Sequence, residues 1–208
     1  IVLKNFEKNF KKLKNCKWIT YLSATSVYGD HSGDWVSEKS ATKPTSSNGI
    51  DRLKVEKLWN NLTLKNNLPI QIFRLAGIYS KNFNVLKRLK LGEVKLVDKE
   101  NHFFSRIHVE DIGNILFESI NNFKKGETYN ICDDMPASQN EVVAYGSKLL
   151  KLNPPKIIKL NEIKNEMLKN FYKDSKKVDN KKMKTFFNYN LKYPAYVEGL
   201  NYIFNNTF

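Results

Sequence analysis

The stretch that most constrains this chain is residues 18–30, WITYLSATSVYGD, an apolar run that ends abruptly in hydroxyls. Trp18, Ile19, Tyr21 and Leu22 give it aromatic and β-branched content with little polar interruption, as in a strand covered on both faces of a parallel sheet. Ser23, Thr25 and Ser26 then fall at its carboxyl end, the edge where open α/β sheets bind ligands.

The rest of the chain supplies partners for such a strand. A polar loop at 31–49 leads into a helical pattern, with Ile50, Leu53, Lys57 and Leu58 along one face, and then into residues 69–75, PIQIFRL. Strand, helix and strand in that order predict two parallel neighbours joined by a crossover. Ahead of them Phe6, Phe10 and Leu13 have the spacing of an amphipathic helix. Downstream, 94–97, 106–109 and 128–131 read as strands. Glu110 and Asp111 open a helix, where Asp111 suits the positive end of the macrodipole. Ser138 and Glu141 form a capping box. Beyond Pro154 the chain turns lysine-rich and less periodic. The predicted fold class is α/β: a doubly wound, Rossmann-type parallel sheet over residues 1–150, with a small C-terminal α+β lobe over 151–208.

A formal charge of +14 suggests an anionic partner, but only Arg52, Arg74, Arg88 and Arg106 of the 35 cations are arginines. Scattered lysine is the weaker choice for reading phosphate or guanine, and no nucleic-acid module is present, so a basic nucleic-acid-binding protein ranks last. Cys16 and Cys132 lie far apart in no metal or redox spacing. With no apolar run long enough to span a bilayer, the expectation is a cytoplasmic protein with no membrane partner. His31 beside Asp30 and Asp34 lacks the spacing of a metal site, and no metal is predicted. His108 reads as a structural, hydrogen-bonded histidine and His102 as a solvated loop residue.

Taken together, YLSATSVYGD, Arg74-Leu-Ala-Gly-Ile-Tyr79, Arg106-Ile-His-Val-Glu-Asp111, Tyr129-Asn130-Ile131 and residues 193–200, YPAYVEGL, resemble the extended and atypical short-chain dehydrogenase/reductases, the nucleotide-sugar epimerases and dehydratases. The resemblance implies an NAD or NADP cofactor and a small-molecule substrate such as a sugar nucleotide, and it allows a homodimer. It places Ser23, Ala24, Thr25, Arg52, Ala76, Gly77 and Ile78 at the cofactor and Arg106 at an anionic group of the substrate.

Three departures accompany it. None of the nine glycines forms the Gly-rich turn that cradles a pyrophosphate, so the first βαβ units of the Rossmann domain are expected to be absent. The family's catalytic Tyr and Lys positions fall on Asn48 and Arg52. Its assisting hydroxyl falls on Ala24. Asparagine cannot exchange the proton that a phenol can, which leaves Tyr28 as the nearest candidate acid/base. The reading is therefore an NAD(P)-binding relative of epimerases, dehydratases and reductases with an altered triad, or a non-catalytic dinucleotide sensor that kept the fold.

Overall fold

The computed structural model describes Asn9, Lys12 and residues 15–208. The helix predicted around Phe6, Phe10 and Leu13 lies outside the described residues. Among those described, the central sheet holds β1 (Ile19–Ala24), β3 (Ile70–Leu75) and β7 (Thr128–Ile131), in the order β1-β3-β7. Both pairings are parallel, with Ser23 level with Arg74 and Arg74 level with Asn130. β3 is buried at all six positions, as its uninterrupted apolar run requires. The other edge of β1 is unpaired among the described residues.

The crossover is α1 (Ser47–Asn66), started by Ser46, whose hydroxyl accepts from the Gly49 amide. Its buried residues include Glu56 and Leu62, whereas Ile50 and Leu58 are exposed. The face predicted from Ile50 and Leu58 is thus rotated away from the sheet. A buried glutamate tied to an arginine replaces the aliphatic stripe that periodicity looks for.

On the opposite side of the sheet Phe73 meets Tyr129 and Phe187 edge to face, with ring centroids 5.9 and 5.8 Å apart. Ile107, Ile112, Ile115 and Met183 complete that core. Two of these come from α3 (Val109–Asn121) and one from α6 (Lys181–Phe187). A second core joins α2 (Val85–Lys90), α4 (Gln139–Leu150) and α7 (Tyr196–Thr207) through Leu86, Val142 and Leu200. The predicted capping box is present in full, with Ser138 and Glu141 each bonded to the other's amide.

Six further strands form three pairs: β2 (Trp35–Val36) with β9 (Lys177–Val178), β4 (Gly77–Tyr79) with β6 (Arg106–His108), and β5 (Leu96–Asp98) with β8 (Ile157–Lys159). Every one of these pairs is parallel. The segment after residue 151 is stitched to the part before it by β8, β9 and a short helix, α5 (Glu166–Lys173). No helix of the described residues is long and apolar enough to cross a membrane. Cys16 and Cys132 are both free thiols.

Asp111 does more than favour a helix end. It is fully buried and accepts hydrogen bonds from the Tyr189 hydroxyl and from the Lys192 and Tyr193 amides, which ties α3 to the C-terminal loop. His102, expected in solvent, is buried against Phe171 and Tyr172, because α5 folds back over its loop.

Just before β7, Glu127 accepts from Lys182 at 2.7 Å and pairs with Lys124 at 2.7 Å. The bonds from Lys124 and Lys182 hold its carboxyl below the ordinary 4.5. Its contribution to stability is therefore complete above that unfolded value and is lost as pH falls through the lowered folded value. Denaturation of Glu127→Gln across acidic pH is expected to show a shallower loss of stability below pH 4.5 than the parent. Parallel curves would rule this out.

Candidate functional site

The carboxyl ends of β1 and β3 lie side by side, and the first contains the residues that the sequence singled out. Ser23 projects toward α1, where its hydroxyl donates to Glu56 Oε1 at 2.6 Å. Thr25 opens a single helical turn, Thr25–Tyr28, and is buried. Ala24 is half-buried at the junction. Ala76 is buried, with its amide bonded to the Ile131 carbonyl, whereas Gly77 is half-buried and Ile78 is exposed.

Under this edge runs a buried polar chain. Arg74 donates through Nε and Nη2 to both oxygens of Glu56, at 3.1 and 2.8 Å, and through Nη1 to the Tyr28 hydroxyl at 3.0 Å. Tyr28 in turn donates to Asn130 Oδ1 at 2.7 Å, and Asn130 donates to the Asp179 carbonyl. Burial pushes the Tyr28 phenol up to about 12, with Arg74 opposing the shift. Tyr28 has no exposed surface. The phenol joins β3 to β7 within the polar chain.

Its expected partners across the cleft, Asn48 and Arg52, lie one turn apart on α1. Asn48 is exposed on the first turn of α1. Arg52 donates to the Leu22 carbonyl at 3.1 Å, on the edge of β1 that lacks a strand partner. Asp30 spends its carboxylate on the Ser32 and Ser175 amides, and His31 contacts the Ala41 carbonyl, so the HSGDW loop is held by bonds both within its neighbourhood and to the distant Ser175. The ring of His108 caps α3 by accepting the Glu110 amide at Nδ1, while its Nε2 is buried without a partner.

Beyond Gly77 opens a cavity of about 580 Å³. Gly77, Ile78 and Tyr79 form one wall, and Arg106, Arg88 and Phe104 are also part of the lining. A Cβ on Gly77 would fall 2.4 Å from the Phe104 ring, so glycine is what lets that ring lie against the strand. Arg106 is 7% exposed and commits three N–H groups inside the protein, to the Phe104 and Ala137 carbonyls and to Gln139 Oε1. Burial pulls its guanidinium down to about 10, opposed mainly by Asp133.

Asp133 is 1% exposed, and its carboxyl is pushed well above the usual carboxylate range by burial. Arg106 and the amides of Met135 and Arg106 favour its charged form, without any of them reaching hydrogen-bond geometry at its carboxyl. Sequence reasoning missed both Asp133 and Arg88. The rarity of arginine that drew attention to Arg106 applies equally to Arg88, whereas nothing in Cys132-Asp133-Asp134 announces a buried carboxyl.

Comparison with known proteins places this arrangement. Protein YeeZ of Escherichia coli (strain K12) is 29% identical over 137 residues, 66% of this chain and 47% of YeeZ. The chain thus spans about half the length of that curated relative. A solved structure of a functionally unknown conserved protein from Silicibacter pomeroyi DSS is 36% identical, with a TM-score of 0.92 over 97% of this chain and 71% of that one. The UDP-glucuronic acid 4-epimerase of Bacillus cereus, solved with UDP-glucuronic acid and NAD, is 19% identical with a TM-score of 0.74, covering 98% of this chain and 67% of its own. At that identity the likeness is one of fold. The model of the NAD-dependent epimerase/dehydratase family matches residues 9–132, and the chain belongs to that family.

Proposed function

We propose that the protein binds NAD or NADP at the joined ends of β1 and β3 and holds a small organic substrate in the adjoining cavity. The observation that carries this reading is the parallel register: with Ala24 level with Leu75, the two strand ends meet beside Gly77, where the cavity begins. Of the predicted cofactor residues, Ala24, Arg52, Gly77 and Ile78 keep accessible surface, and Ala24, Gly77 and Ile78 are the contacts proposed for the nicotinamide end. Ser23 and Thr25 support them from beneath. Arg52 is the neighbouring cation and Arg106 the one inside the cavity. The described residues fit that end of the cofactor alone, since none of the glycines makes a pyrophosphate turn.

A bound nicotinamide would supply hydride transfer. The acid/base partner for it is not found among Tyr28, Asn48 and Arg52, because the first is sealed in the polar chain and the second has no exchangeable acid proton at neutral pH. That observation favours a second reading, in which the site senses the dinucleotide without turnover. Sugar nucleotides such as the one bound by the Bacillus cereus epimerase are the substrate class suggested by the family.

The test is a titration of NAD(H) and NADP(H) followed by tryptophan fluorescence, with nicotinamide absorbance as the readout of turnover. Saturable quenching is expected, and Gly77→Ala is expected to weaken it about tenfold, roughly 1.4 kcal/mol, by driving the Phe104 ring off the strand. No saturable response in the parent protein would end the proposal. Binding without hydride transfer would select the sensor.

A further inference from the structure

The cavity beside Gly77 has an unusual lining for a site that takes diphosphate sugars. Phe83, Phe104, Phe171, Tyr172 and Tyr196 bring aromatic rings to it from four separate stretches of chain, and Leu168 and Leu200 add aliphatic surface. Phe83 is 68% exposed and Ile78 44% exposed, so large apolar side chains border the cavity without being covered. Such rings bind apolar bodies by area and by face and edge contact.

The polar groups of the lining are mostly turned inward. Asn84 donates to the Ser80 and Lys81 carbonyls and accepts the Lys87 amide. Asn165 caps the Leu168 amide, and Gln139 accepts from Arg106. Arg106 itself has three donors committed. A diphosphate and a sugar together would need many free donors, and this cavity holds few.

What remains free is specific. The exposed Glu93 carboxylate shares the lining with two cations: Arg88, which makes one bond, to the Glu93 carbonyl, and Lys95, which is exposed. These are cations able to meet one anionic group on the ligand.

We infer that the substrate is a small organic acid with an apolar, aromatic or acyl body, its carboxylate held by Arg88 and Lys95 and its body packed on Phe104 and Phe171. The inference rests on the reading of this cavity as the substrate site, and it replaces the sugar nucleotide with a different class.

Calorimetric titration of the protein with 3-phenylpropionate, with the uncharged 3-phenylpropanol and with UDP-glucuronic acid tests it. The acid is expected to bind saturably, at least tenfold tighter than either comparison compound. Arg88→Gln is expected to weaken the acid to the level of the alcohol and to leave the alcohol unchanged. Phe171→Ala is expected to weaken both. Tighter binding of UDP-glucuronic acid, equal binding of acid and alcohol, or an unaffected Arg88→Gln would each overturn it. A parallel titration with NAD(H) separates the two proposals. Dinucleotide binding without acid binding overturns only this inference, and acid binding without dinucleotide binding overturns only the cofactor reading.

Discussion

Arg74→Met is expected to lower the unfolding free energy by about 3–5 kcal/mol, the usual cost of breaking a buried ion pair from one side. Glu56 is 2% exposed and Arg74 8% exposed, so the stranded carboxylate would have no water to turn to. Burial alone would weaken the hold of Arg74 on its proton, but the bonds to Glu56 and then Tyr28 outweigh it and tighten that hold. A loss of that size is a large part of the 5–15 kcal/mol that domains typically possess. Denaturant titration is the measurement. The double variant Glu56→Gln with Arg74→Met is expected to lose less than the sum of the single changes, since the second removes a group that the first has already left unpaired. Strict additivity would show that the pair is not coupled. Arg74→Lys is expected to recover little, because an ammonium cannot serve both Glu56 oxygens and the Tyr28 hydroxyl at once.

The second large effect is expected at Asp111. Asp111→Ala deletes the acceptor of two backbone amides and one phenol. Bonds to a charged group contribute about 1.5–3 kcal/mol each, and the orphaned amides add their desolvation, so a total near 4 kcal/mol is expected. The loss should be local in origin. Hydrogen exchange at the Lys192 and Tyr193 amides is expected to accelerate before the central sheet is affected. A variant that keeps full protection at those amides would show that the loop is held by other contacts. Burial, and secondly the bond to Asp111, push the Tyr189 phenol up to about 12. The same substitution should therefore bring that titration down.

How much of this could be read from the sequence depends on how far each signal reaches along the chain. β3 and the capping box of α4 were legible because their causes lie within a few residues: an apolar run, and a hydroxyl three places before a glutamate. The parallel pairing of β1 with β3 followed from strand, helix and strand alternation, whereas the place of β7 beside β3 did not. The orientation of α1 did not, since its buried face contains Glu56, which is apolar in no scale and becomes acceptable inside through Arg74, eighteen residues on, and Ser23, on the preceding strand. The bond from Tyr28 to Asn130 was illegible for a similar reason, because the two are 102 positions apart. His102 was misread because the rings that cover it belong to a helix about seventy residues later. The cavity illustrates the same limit. The family motif pointed to Gly77 and Arg106, while Phe83, Phe104 and Phe171 have no sequence relation to one another and meet only in the folded chain.

The parallel pairing of the named strands among the described residues bears on how the molecule reaches its native state. Antiparallel neighbours can zip from a tight hairpin, but parallel ones must first close a long loop. Here Ile19 waits for Ile70, Ile72 for Thr128, and Trp35 for Lys177. During synthesis the helices can form as they emerge, whereas β2 has no partner until Lys177 and Val178 have been made. A protein of this topology folds late and slowly for its size. Its buried strands are meanwhile open to other chains, so the rate of folding, as well as final stability, sets how much of it stays in solution.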